Sequence, residues 1–305
     1  MPSLPSRNPP RWTISLKASP LSRRAADRLF LFSLRSAALA AALALVFVTF
    51  FVGYEALPAL QEAGITAFLA DASWHPVSGA FGLLPMVLGS LAVSLLALVL
   101  AAPLGLGAAL FESFYAPPLL RGFFQRAVEL LAGIPSVVYG LWGLVILVPL
   151  IAKHLAAPGT SILAAGLVLA IMILPTMALF SSAALAAIPA EQHRAATALG
   201  LSKWAALRTV LLPAAWRGIV TGLFLAFARA LGETMAVLMV AGNVPQLPSS
   251  LLDPVRTLTA NIALEMAYAT GAHRHALFFS GFLVMAVTLL LVTLAGRSER
   301  QEGRT

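Results

Sequence analysis

The 305-residue chain is 60% hydrophobic and only 10% charged, whereas a soluble domain carries about a quarter charged residues, so an ordinary soluble fold is excluded. Its net charge of +8 gathers beside the ends of apolar runs, as membrane orientation signals do, which argues against nucleic acid as a partner. The absence of cysteine excludes disulfides and thiolate metal sites.

Several apolar runs exceed 18 residues, and none alternates as barrel strands do, so the fold class is all-α and polytopic. Taken in chain order, residues 1–28, with "PSLPSRNPPR", read as a disordered basic tail. The first span covers 29–52; its apolar run is too long for a cleaved signal, so it reads as an anchor, followed by an outer segment to 73. Arg35 lies near the inner end of this span, where an arginine can snorkel to the interface. The remaining five spans are 83–110, 127–152, 161–185, 218–242 and 274–296, with a short tail at 297–305. Fifteen lysines and arginines fall on the side that holds both tails and the 111–126 and 186–217 loops. Three (Lys153, Arg256 and Arg274) fall on the other. The positive-inside rule therefore places both termini in the cytoplasm. Pro103, Pro135, Pro149 and Pro175 interrupt the spans, a pattern tolerated where freed backbone groups line a cavity, which favours a transporter over a simple anchor.

The 186–217 loop, "AAIPAEQHRAATALGLSKWAALRTVLLPAAWR", reads as two short helices. Pro189 suits a first turn, with Glu191 near the positive end of the dipole. Gly200 suits the position just past the first helix, and Ser202 caps the second, which runs through Trp204, Leu207 and Leu211 until Pro213 ends it. The result is a helix–glycine–helix elbow projecting from the membrane.

The fifth span, "FLAFARALGETMAVLMVAG", holds Arg229 and Glu233 four residues apart in an otherwise apolar run. On a continuous helix they share a face and partly neutralise each other. One reading is a structural ion pair that staples the bundle. The other is a transport site: a permanently charged, fork-shaped guanidinium that attracts oxyanions, with Glu233 able to accept a hydrogen bond from a protonated oxyanion. In the second reading the pair holds itself closed at rest, and Thr234 adds a hydroxyl. Elsewhere, Glu129 is either an interfacial residue or a gate, and Arg256, with Thr257, Thr259 and Asn261, either receives substrate or caps a helix. His273 and His275 read as an outer-loop pair rather than a metal site.

In "RAATALGLSKWAALRTVLLP", Ala195, Ala196, Gly200, Leu212 and Pro213 fit the EAA loop of ATP-binding-cassette import permeases, which the chain resembles. Arg194 replaces the glutamate of that pattern and Arg217 its last proline. "RALGETMAVLMVAGN", "DPVRTLTANIALEMA", "ELLAGIPSVVYGLWGLVILVPLI" and "FGLLPMVLGSLAVSLLALVLAAPLGLGAALFESFYAPP" look like the C-type permease subunit of bacterial Pst phosphate importers. The likeness covers about 74–296 and implies a six-span type I importer permease domain there, in a bacterial inner membrane. It also implies docking of the elbow on an ATPase dimer (PstB-like), a second permease subunit (PstA-like) and a periplasmic phosphate-binding protein (PstS-like). By the same resemblance, Arg229 and Glu233 act on phosphate, and Ser136 and Tyr139 are pathway hydroxyls. No cofactor is expected in this chain. Of Lys17, Lys153 and Lys203 none follows a glycine, so no phosphate-binding loop of an ATPase is present, and ATP and Mg belong to the partner.

Alternatives from other classes remain: the same architecture carrying phosphonate, sulfate or molybdate, an ion-coupled secondary transporter, or a membrane-embedded enzyme. The last requires clustered nucleophile, base and metal ligands, a grouping absent from the sequence pattern.

Overall fold

The computed structural model describes residues 20–300 and divides into two units, 1–50 and 51–305, each treated by itself. Most of the expected basic tail and the last five residues lie outside the described residues. The chain is helical from Pro20, ahead of the expected span start at 29.

Helix α1, Pro20–Ala70, runs from the first unit into the second and breaks its regular geometry at Gly64 (φ 75°, ψ 154°). In the first unit the large apolar side chains of residues 29–50 are exposed around the helix, as suits a span surrounded by lipid, and the charged Arg35 is exposed as well. In the second unit, a small hairpin follows, β1 (Trp74–His75) pairing antiparallel with β2 (Ala80–Phe81).

The bundle proper is built from α2 (Leu84–Leu110, ending in a π turn, Phe111–Tyr115), α3 (Pro118–Gly133), α4 (Ser136–Trp142), a second π turn (Gly143–Leu147) and α5 (Val148–His154). Then come α6 (Ile162–Ala186), α7 (Ala190–Ala198), α8 (Lys203–Ala206), a third π turn (Leu207–Leu211) and α9 (Leu212–Leu231). The short α10 (Met235–Val240) and α11 (Leu258–Glu265) precede α12 (Gly271–Arg300). Among the described residues, six stretches are long and apolar enough to cross a membrane.

Within lipid, apolar burial does not distinguish a neighbouring helix from an acyl chain, so close backbone approach over small residues holds helices together. The α2–α6 and α6–α9 contacts follow this rule. A Cβ on Gly105 would lie 2.6 Å from the Met177 Cβ, and one on Gly222 2.7 Å from the Phe180 Cβ. Val93, Ala97 and Ala101 of α2 are buried in one cluster with Val168, Leu169, Met172 and Ile173 of α6.

Two expected spans differ from the structure. The third was drawn as 127–152, but Pro135 lacks an N–H and holds Ile134 extended, so the chain splits. Residues 118–133 form a separate, largely exposed amphipathic helix, and the apolar helical stretch is Ser136–His154. The fifth, drawn as 218–242, starts much earlier, at Lys203, and stops at Leu231. Pro213 does not end the helix, because the π turn before it accommodates the missing donor and the rod continues through α9. Likewise Pro103 and Pro175 stay inside unbroken helices.

The first helix, the glycine turn and the serine cap of the elbow match their expected form, whereas its second helix runs on past Pro213. Glu191 sits in the first turn of α7, and Pro189 is the residue just before it. Gly200 has φ +70°, a conformation costly for any residue with a Cβ, and Leu201 N–H bonds back to the Ala196 carbonyl (3.2 Å). Ser202 Oγ accepts from Ala205 N–H (3.2 Å), capping α8.

Candidate functional site

At the far end of the α8–α9 rod from the elbow, the helix opens. Gly232, Glu233 and Thr234 are non-helical, and α10 starts afresh at Met235. Discontinuous helices of this kind mark substrate sites in transporters.

The expected Arg229–Glu233 ion pair is corrected here: the two form none among the described residues. The break removes the one-turn spacing that would have stacked them, and each side chain has another partner. Arg229, in the last turn of α9, donates from Nη1 to Thr176 Oγ1 of α6 at 2.8 Å and is otherwise exposed. Glu233 Oε1 accepts from Ala236 N–H at 3.1 Å, capping α10 where the helix dipole favours a carboxylate. Its carbonyl accepts from Thr259 Oγ1 of α11 at 2.8 Å. Arg229 is thus fixed to the α6–α9 pair, and Glu233 to α10 and α11. The notion that the pair holds itself closed in this state does not survive.

Thr234 is half-buried at the start of α10, its hydroxyl at 3.5 Å from the Gly232 carbonyl. Ser136 is half-buried at the first position of α4. Tyr139 is buried and donates its hydroxyl to the Leu131 carbonyl (2.8 Å). Its hydroxyl braces α4 against α3 rather than standing open. Helix α4 meets α10 at Gly140, where a Cβ would lie 2.8 Å from the Ala236 Cα. Arg229, held by Thr176, and Glu233 therefore stand at one break, and α4, the helix of Tyr139, packs against α10 beyond it.

At the elbow, Ala196 is buried, as are Leu207 and Leu211 of the π turn, whereas Ala195, Gly200 and Pro213 are exposed and Leu212 is half-buried. Leu199 and Trp204 are 77% and 60% exposed, leaving an apolar surface without cover from this chain. Arg194 is exposed beside it. The His193 ring lies 6.0 Å from that of Phe114, joining α7 to the π turn of α2, where Glu112 accepts from Ser182 of α6 (2.9 Å).

At the other end of the bundle a buried cluster centres on Glu265. It accepts from Arg256 Nη1 (2.5 Å) and Trp74 Nε1 (3.0 Å) and bonds His273 Nε2 (2.9 Å). Arg256 also donates to the Asn243 carbonyl and to Asn261 Oδ1. Rather than capping a helix, as one of its two sequence readings had it, Arg256 is a staple, with the Glu265 carboxylate beside its charge. His273 and His275 belong to the first turns of α12, not to a loop, and His275 Nδ1 faces the Glu55 carbonyl at 2.9 Å. Glu129 accepts from Gln125 (3.2 Å) on exposed α3.

Sequence reasoning missed Thr176, Glu265 and Trp74, and named Thr259 only as a neighbour of Arg256. Glu265 had a signal, being a lone charge in "NIALEMA"; a threonine in an apolar helix gives none.

Residues 101–300 match the family model for the binding-protein-dependent transport system inner membrane component. The chain is 39% identical over 256 residues to a probable ABC transporter permease protein, YqgH, of Bacillus subtilis (strain 168), covering 82% of this chain and 83% of that one. It is 35% identical over 302 residues to the phosphate transport system permease protein PstC of Xylella fastidiosa (strain Temecula1 / ATCC 700964), covering 91% and 93%. The fold is similar to that of a MetNI methionine ABC transporter chain in an inward-facing conformation, with TM-score 0.59 and 18% identity over 75% of this chain and 99% of that one. The six-span helical bundle is therefore that of an ABC importer permease, and the chain belongs to the family of binding-protein-dependent transport system inner membrane components.

Proposed function

We propose that this chain is a permease subunit of an ATP-driven inorganic phosphate importer, forming half of the translocation pathway in a bacterial inner membrane with both termini cytoplasmic. The observation that carries the reading is Arg229, an exposed guanidinium at the end of the rod that begins at the elbow. A guanidinium within the membrane costs on the order of 2.5–3.5 kcal/mol by insertion scales, so its retention calls for a polar function. Its planar fork matches two oxygens of a phosphate. Glu233, on the other side of the break, accepts a hydrogen bond from the proton of HPO₄²⁻, which sulfate lacks. The substrate name rests further on relatives of the PstC type, 35% identical over nearly the whole chain.

The chain performs no covalent chemistry in this reading. A second permease subunit completes the pathway, and a periplasmic phosphate-binding protein delivers the anion. Two ATPase copies bind ATP and Mg and grip the elbow through the Leu199–Trp204 surface, with acidic groups on the ATPase opposite Arg194. Closure of the ATPase dimer pushes the 29-residue stretch Lys203–Leu231, about 43 Å long at helical rise, as one rod. Because Glu233 is tied to α11, that stroke moves Arg229 relative to Glu233 across the Gly232–Thr234 break. The two groups then share an anion in one state and release it in the other.

Uptake of labelled phosphate by the reconstituted importer tests the reading. Excess unlabelled phosphate should abolish it, equal excess sulfate should leave it standing, and omission of the ATPase should stop it. Equal competition by sulfate would assign another oxyanion, and uptake without the ATPase would overturn the ATP-driven mechanism.

A further inference from the structure

The side chain that holds Arg229 is a neutral hydroxyl, and its other bond is open. A threonine hydroxyl offers one O–H donor as well as acceptor lone pairs. In helices that donor ordinarily turns back to a carbonyl three or four residues earlier. Thr197 does so to His193 (2.9 Å), Thr209 to Ala205 (2.7 Å) and Thr293 to Leu290 (2.8 Å). Thr176 makes no such bond among the described residues. Its oxygen accepts from Arg229, and its O–H has no acceptor among the described residues. Thr176 is half-buried and follows Pro175 on α6, close to Met177, which packs against Gly105.

We propose that Thr176 is a ligand of the transported oxyanion, a reading that rests on the phosphate pathway proposed above. Its oxygen fixes one arm of the guanidinium without cancelling the charge, as a carboxylate would. When the anion arrives, the remaining N–H groups of Arg229 and the Thr176 O–H donate to separate oxygens of the tetrahedron. Glu233 is the one of the three that can only accept, so donors on α6–α9 take the bare oxygens and the carboxylate takes the protonated one. Thr176 and Arg229 stay together during the stroke, because α6 and α9 meet backbone to side chain at Gly218 and Gly222, 2.6 Å from the Ala184 Cβ and 2.7 Å from the Phe180 Cβ as a Cβ would see them.

The test is the concentration dependence of labelled phosphate uptake by the complete importer in proteoliposomes, with co-purification of the ATPase as the check on assembly. Thr176→Val keeps shape and removes the hydroxyl; it should raise KM about ten- to a hundred-fold, the effect of one hydrogen bond to a charged partner. Thr176→Ser restores the donor and should return KM to near the unaltered value. A Thr176→Val importer with unaltered KM, alongside an Arg229→Gln importer that cannot accumulate phosphate, would overturn this assignment and leave the pathway reading intact. Unaltered uptake by Arg229→Gln would instead remove the pathway reading and this inference with it. Equal loss in Thr176→Val and Thr176→Ser would also overturn the assignment, since a restored hydroxyl would then do nothing.

Discussion

Gly140→Ala probes whether the α4–α10 contact sets the geometry of the break. The added Cβ would lie 2.8 Å from the Ala236 Cα, 2.9 Å from the Met239 Sδ and 3.4 Å from the Ala236 carbonyl. The methionine sulfur can swing aside, but the backbone of Ala236 cannot. Carbon atoms rest about 3.5–4.0 Å apart, so α10 must retreat by roughly 1 Å. Ala236 is also the residue whose N–H holds the Glu233 carboxylate, so the retreat carries Glu233 with it. Overpacking of this kind costs about 1–3 kcal/mol, and expressed at the site that is roughly 5- to 150-fold in transport rate. Initial rates of labelled phosphate uptake in proteoliposomes measure it, with Gly107→Ala as the matched control, since nothing lies within 4 Å of a Cβ there. Uptake by Gly140→Ala equal to that of the control would refute the reasoning.

Two further expectations concern the end of the bundle away from the elbow. Glu265→Leu leaves the Arg256 guanidinium largely buried without its carboxylate and should lower stability by about 3–5 kcal/mol, read as a fall in melting temperature in detergent. The Arg256→Met, Glu265→Leu double variant should recover most of that loss; if it melts as low as the single variant, the pair is not what holds this end. Asp253 accepts from the Ser249 hydroxyl and from the Ser249 and Ser250 N–H groups, which hold its carboxyl below the usual 3.8. Because the folded value is depressed, the bonds contribute fully above 3.8 and are lost as pH falls through the lowered value. Hydrogen exchange at the Ser249 and Ser250 amides should therefore accelerate only below that range, and Ser249→Ala should move the onset upward.

The elbow could be read from the sequence because its signals are local: a glycine at positive φ and a serine three residues before the N–H it caps. Span number was equally legible from apolar length. What the sequence concealed depends on distant contacts. Nothing in "RALGETMAV" marks a break after Leu231, since Gly232 alone is tolerated in a helix; the bond from Thr259, 26 residues on, draws the Glu233 carbonyl out of helical pairing. Arg229 and Glu233 therefore read as a helical pair, but the structure holds them on different helices, α9 and the start of α10. Pro213 misled for the opposite reason, because a π turn accommodates a proline that would end an ordinary helix. Pro135 behaved as a helix terminator, and the extended Ile134 before it shifted the third span toward its C-terminal half.

The proposed mechanism turns on the positive charge at residue 229, held by Thr176 and otherwise exposed. Accumulation of labelled phosphate by proteoliposomes holding the complete importer, with Arg229→Gln against the unaltered chain and ATPase co-purification matched, measures its role. Loss of accumulation by at least about tenfold, the effect of roughly 1.4 kcal/mol, is the expected result. Accumulation at the unaltered rate would contradict the assignment of Arg229 to the phosphate pathway.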